Sequence, residues 1–149
     1  MKKNILDNPF FLFLLFIAVV IINTISSIYF SSIMLAGFVF LAFIKCIRNK
    51  YYYSMFFITL AMLFIELNNG FPPFTLLLLS MFSYMFVIPK IKKVISFSGL
   101  NYFIYIIWFY AAMFVIWSIL EGIDITLVGT IFLNIIIDFI LVGLFLWDD

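Results

Sequence analysis

Seven acidic side chains, one thiol and no histidine set the limits of the chemistry open to this chain. Without imidazole there is no histidine ligand for a metal, no His-based triad and no proton shuttle of the usual kind. The thiol, Cys46, lies in the basic stretch KCIRNK and has no second cysteine with which to pair. Neither a GxSxG elbow nor a phosphate-cradling glycine loop is present. An aspartyl mechanism needs two carboxylates that meet, and only Asp138 lies deep in an apolar run. These absences predict a protein that is not an enzyme and that holds no metal or cofactor. A formal net charge of +1 gives no nucleic-acid footprint.

Asp138 falls within two residues of the middle of the apolar segment 124–147, roughly 3 Å from a bilayer midplane. An aspartate there costs on the order of 2.5–3.5 kcal/mol on insertion scales, so it is expected to face the bundle interior and find a partner. Asn134 sits one turn earlier on the same helix face. Gly129 and Gly143 lie nearly opposite Asp138, and small residues allow helices to approach closely. The pattern predicts helices on both sides, one on the glycines and one meeting the Asn134/Asp138 pair. That pair suits either an ion or proton site or a hydrogen-bonded anchor that fixes helix position.

The second candidate is Glu66, in FIELNNGFPP. Thr59, Met62 and Leu63 share its helix face. Asn and Gly tolerate left-handed backbone and end helices well. The Pro72–Pro73 pair excludes α geometry just before it and suits the first turn of a new helix. The break is therefore read as a hairpin around Gly70. A carboxylate at a helix C-terminus opposes the macrodipole, so Glu66 does not serve its own helix. It is read as a solvated loop acid or as a contact for a partner or pocket.

The elements that position these residues follow from composition. The chain is 68% hydrophobic and only 10% charged, where a soluble domain is roughly 25% charged and buries only about two-thirds of its surface. It reads as an all-α integral membrane protein, one domain of six transmembrane helices in one bundle. The segments are about 9–25, 29–46, 51–67, 74–89, 100–120 and 124–147. The N-terminal stretch resembles a signal peptide, but Asp7, Asn8 and Pro9 interrupt it and no small-x-small cleavage site follows, so it is read as an uncleaved first helix. With a cytoplasmic N-terminus, every basic residue falls inside: Lys2 and Lys3, then Lys45, Arg48 and Lys50, then Lys90, Lys92 and Lys93. The external loops carry Glu66, Glu121 and Asp124 instead. Both termini are thus placed in the cytoplasm, and tyrosines and tryptophans such as Tyr102, Trp117 and Trp147 are read as headgroup-level anchors.

Three stretches taken in order, MLAGFVFLAFIKCIRNK, FIELNNGFPPFTLLLLSMFSYMFVIPKIKK and FLNIIIDFI, resemble the MreD family, the small polytopic subunit of the bacterial rod-shape (cell-elongation) machinery. The family's acid-x-x-x-Gly element matches Glu66 and Gly70, and its late-helix Asn matches Asn134. The chain departs from the pattern in having Glu for the usual Asp, a Tyr- and Met-rich third helix, and Asp148–Asp149 in place of a basic tail; Asp138 matches no family motif. The resemblance implies a bacterial inner-membrane scaffold, without enzymatic activity, that binds MreC, a single-span periplasmic protein. It further implies association with the RodA glycosyltransferase and its transpeptidase and, indirectly, with the MreB filament. It also implies a fold similar to the six-helix vitamin-capturing subunits of energy-coupling transporters.

Two functions compete. A membrane scaffold fits the absent chemistry, the tiny loops and basic inner loops able to contact anionic lipid. A small-molecule-capturing or transport subunit would need Thr59, Glu66, Asn134 and Asp138 to line a pocket open to the outside. The surroundings of the Asp138 side chain discriminate: a polar cavity favours transport, a dry contact with a neighbouring helix favours a scaffold.

Overall fold

A computed structural model describes residues 8–28, 33–96 and 98–145, with the side chains of residues 27, 28 and 98 left aside. The described residues form helices and no strands: α1 (Pro9–Ile28), α2 (Ala36–Asn49), α3 (Tyr52–Asn69), α4 (Thr75–Phe82), α5 (Ile88–Val94), α6 (Ser98–Glu121) and α7 (Ile125–Phe145). A π turn, Ser83–Val87, joins α4 to α5. Four helical runs are long and apolar enough to cross a membrane: Pro9–Ser26, Thr75–Val94, Gly99–Glu121 and Ile125–Phe145. The chain is a multi-pass membrane protein by that measure.

Local chemistry sets most helix ends. Pro9 takes the first position of α1, where its missing N–H costs nothing, and the Asn8 side chain accepts the Phe10 N–H at 3.1 Å. Asp124 opens α7 by accepting the Ile125 N–H at 2.7 Å and the Thr126 hydroxyl at 2.8 Å. Gly70 closes α3 at φ +76°, and its N–H returns to the Glu66 carbonyl.

Two expected segments differ from what the chain does. The fourth does not stop at Pro89; helix continues to Val94. Proline cannot donate to the carbonyl one turn back, and the π turn just before it absorbs the mismatch, with the Ile88 N–H reaching back to the Ser83 carbonyl. The second is not a span from 29 to 46. Helix begins only at Ala36 and lasts 14 residues, about 21 Å against a hydrocarbon core of about 30 Å. Residues 29–32, where the expected segment starts, lie outside the described residues. Residues 33–35 are not helical, and Leu35 has φ +57°.

This short helix is the centre of the molecule. Every residue from Ala36 to Ile44, and Cys46, is buried, as a helix enclosed on all sides should be. It touches α3, α4, α6 and α7, while α1 packs on α3 and α6 packs on α7. Phe40 stacks on Phe109 of α6, centroids 4.4 Å apart and planes 10° from parallel. On α6 the buried stripe is Tyr105, Ile106, Phe109, Tyr110 and Met113, a helical repeat aimed at α2. The outer faces carry large apolar side chains such as Phe132 and Leu144. The basic and acidic loops separate along α6: its start lies at a cavity lined by Arg48 and Lys92, and its end holds Trp117 and Glu121.

Candidate functional site

A helix start leaves backbone N–H groups without intrahelical partners, and inside a bilayer no water is at hand to take them. α2 starts in the bundle interior: Met34 and Leu35 are buried, and no local side chain caps the helix. The missing acceptors come from α7. Asn134 Oδ1 accepts the Met34 N–H at 2.7 Å. Asp138 Oδ2 accepts the Gly37 N–H at 3.0 Å and also the Tyr110 hydroxyl. The Gly37 N–H is shared with the Tyr110 oxygen at 3.2 Å. From α1, Asn23 donates its amide to the Met34 carbonyl at 3.1 Å and to the Val19 carbonyl at 2.9 Å. All four side chains are at most 2% exposed.

Asp138 is therefore a helix cap supplied from another helix, at a range of 101 residues. Its carboxylate faces the positive end of the α2 dipole, equivalent to about half an elementary charge. Its other oxygen, Oδ1, is buried and makes no hydrogen bond. Gly37 makes the approach possible. A Cβ there would stand 2.7 Å from Asp138 Oδ2, 2.9 Å from Tyr110 Cε2 and 3.1 Å from Ile106 Cγ2, inside ordinary contact distance.

Glu66 does the same for α4. That helix also follows a non-glycine residue in the left-handed region, Phe74 at φ +67°, and has no side-chain cap of its own. Glu66, fully buried, accepts the Phe74 N–H at 2.7 Å and the Leu76 N–H at 2.5 Å. The residue that opposes the dipole of α3 complements that of α4. It is not a solvated loop acid. The hairpin it closes docks on the end of α6: the Phe71 and Trp117 rings meet at 5.2 Å, and Trp117 donates to Glu121 at 2.8 Å. A Cβ on Gly70 would touch Glu121 at 3.4 Å.

The remaining sequence candidates fall elsewhere. Thr59 is half-buried and bonds the Met55 carbonyl of its own helix at 2.9 Å. Asn134 and Asp138 do share a buried face of α7, with Leu127, Ile131 and Val142. Gly129 and Gly143 do lie on the opposite, exposed face, but a Cβ on either would meet nothing within 4 Å. The expected helix contact on those glycines is absent among the described residues. Thr59, Glu66, Asn134 and Asp138 line none of the cavities described at the basic end, the acidic end or the α1/α7 groove.

Sequence reasoning missed Asn23, Gly37 and Tyr110. Asn23 lies near the end of the expected first segment, 9–25, where its type alone does not separate a helix-end residue from a buried contact. Tyr110 could have been singled out as a hydroxyl in the middle of the apolar run YIIWFYAAM. Comparison with protein-family models, curated proteins and solved structures finds no match for this chain.

Proposed function

We propose that this chain is a non-enzymatic scaffold subunit of the bacterial cytoplasmic membrane, crossing it six times with both ends inside. In this reading α3 and the short α2, together with the chain leading to it, complete the six passes. The proposed role is that of an MreD-like component of the cell-elongation complex. It would bind a single-span periplasmic partner resembling MreC, and through that assembly reach the peptidoglycan-synthesising glycosyltransferase and transpeptidase and the cytoplasmic filament.

One observation supports this reading above the others. Asp138 Oδ2, Asn134 Oδ1 and both Glu66 oxygens accept backbone N–H groups of this same chain, in buried contacts between helices rather than around an open polar cavity. Polar groups used in this way hold a bundle in one shape, which is what a protein with only helix faces and short loops must offer to partners. A capture subunit would instead keep such groups available to a ligand.

The test is a crosslinking pull-down from membranes with the full chain as bait. The expected result is co-purification of a single-span protein with a periplasmic domain. A chain that purifies alone, with a water-soluble small molecule retained beside Asp138, would reverse the ranking in favour of the transport reading.

A further inference from the structure

At the end of the bundle opposite the Glu66 hairpin lies a cavity of about 300 Å³ between α2, α6, the end of α5 and the residues that follow it. That is the lower end of the size range of small-molecule sites. Lys45, Arg48 and Lys92 line it, and among the described residues no acidic side chain does. Its inner wall is apolar, formed by Leu41 and Ile44. Two of the lining residues carry a buried polar atom that makes no hydrogen bond: the Tyr105 hydroxyl and Asn101 Oδ1. Tyr105 is only 4% exposed, and a buried polar group without a partner costs about 1–3 kcal/mol. The α6 start beside the cavity carries no acidic residue in its first turn.

We propose that this cavity binds the phosphate of an anionic phospholipid headgroup, of the phosphoglycerol type, from the leaflet on the basic side of the membrane. A phosphodiester supplies what the cavity lacks. Its oxygens accept the Arg48 fork, the Lys92 ammonium and the Tyr105 O–H. A glycerol hydroxyl donates to Asn101 Oδ1. The acyl chains leave toward Leu41 and Ile44. A headgroup carrying an ammonium would bring a positive charge against those of Arg48 and Lys92. The inference needs only that this end meets the membrane–water boundary, and it is independent of the scaffold reading.

The test is native mass spectrometry of the full chain released from nanodiscs holding equal phosphatidylglycerol and phosphatidylcholine. The expected result is selective retention of phosphatidylglycerol. Lys92 is exposed to solvent, so Lys92→Gln leaves the core intact and is expected to lower the retention ratio about fivefold. Tyr105→Phe is expected to lower it with no change in charge, and Arg48→Gln combined with Lys92→Gln to lower it further than either alone. No preference in the wild-type chain, or an unchanged preference in both Lys92→Gln and Tyr105→Phe, overturns the proposal. Inorganic phosphate is the second arm: displacement of the lipid by phosphate at equal concentration would make this a site for a soluble anion and overturn the lipid assignment.

Discussion

Gly37→Ala is the most exposing substitution for the capped start of α2. In an ordinary helix interior this change stabilises, by up to about 1 kcal/mol. Here the new methyl would stand 2.7 Å from Asp138 Oδ2 and 2.9 Å from a Tyr110 ring carbon. Overpacking of that kind costs about 1–3 kcal/mol. Pushing the carboxylate away also leaves the Gly37 N–H unsatisfied, a further 1–3 kcal/mol or so. The steric and hydrogen-bonding losses win, and the net effect is a destabilisation of about 1–5 kcal/mol. Cys46 offers a direct reading, because it is the single cysteine of the chain and lies buried on α2. Thermal unfolding in detergent, followed by a thiol-reactive fluorophore, reports when α2 becomes accessible. Gly37→Ala is expected to label at a clearly lower temperature than wild type. Gly129→Ala and Gly143→Ala, whose methyls meet nothing within 4 Å, are expected to melt within a degree or two of wild type or above it. If Gly37→Ala melts with these controls, Asp138 does not cap α2 at the distance described.

Asp138→Asn keeps an acceptor for the Gly37 N–H and is expected to be tolerated. Asp138→Leu improves insertion of α7 by about 3 kcal/mol but leaves the Gly37 N–H only its 3.2 Å contact with the Tyr110 oxygen and removes the acceptor of the Tyr110 O–H, so normal membrane abundance with faster Cys46 labelling is expected; unchanged labelling would count against the cap. Glu66→Gln retains one acceptor for the α4 start, whereas Glu66→Ala loses both and is expected to cost about 1–2 kcal/mol, as lost caps do; equal melting of the two would contradict the role assigned to Glu66. A reporter inserted at Asn69 is expected to be active outside the cytoplasm, and a cytoplasmic signal there would invert the proposed orientation.

The membrane class and the position of most helices were legible from apolar run length and loop chemistry, because lipid leaves a backbone few alternatives to helix. The place where helix stops being helix inside an apolar run was not legible. SSIMLAGF has the composition of a continuing helix, and hydropathy carries no mark for a left-handed residue at Leu35. The depth of Asp138 correctly signalled a buried partner, but the partner is the backbone of Gly37, which no side-chain pattern reveals. Glu66 was read against the helix it ends, and its role came from the helix that follows it. The glycines of α7 were placed on the correct face, yet periodicity alone cannot say whether a neighbour occupies that face.

The long range of the α2 cap has a consequence for biogenesis. A ribosome adding about 5–20 residues per second takes roughly 5–20 s to pass from Gly37 to Asp138. Throughout that interval α2 must wait in or beside the translocation machinery with its first amides unclaimed. A helix made about a hundred residues later, α7, is thus the one that locks α2 in place, and a nascent chain interrupted before Asp138 would offer quality-control proteases an unfinished centre rather than a smaller stable protein.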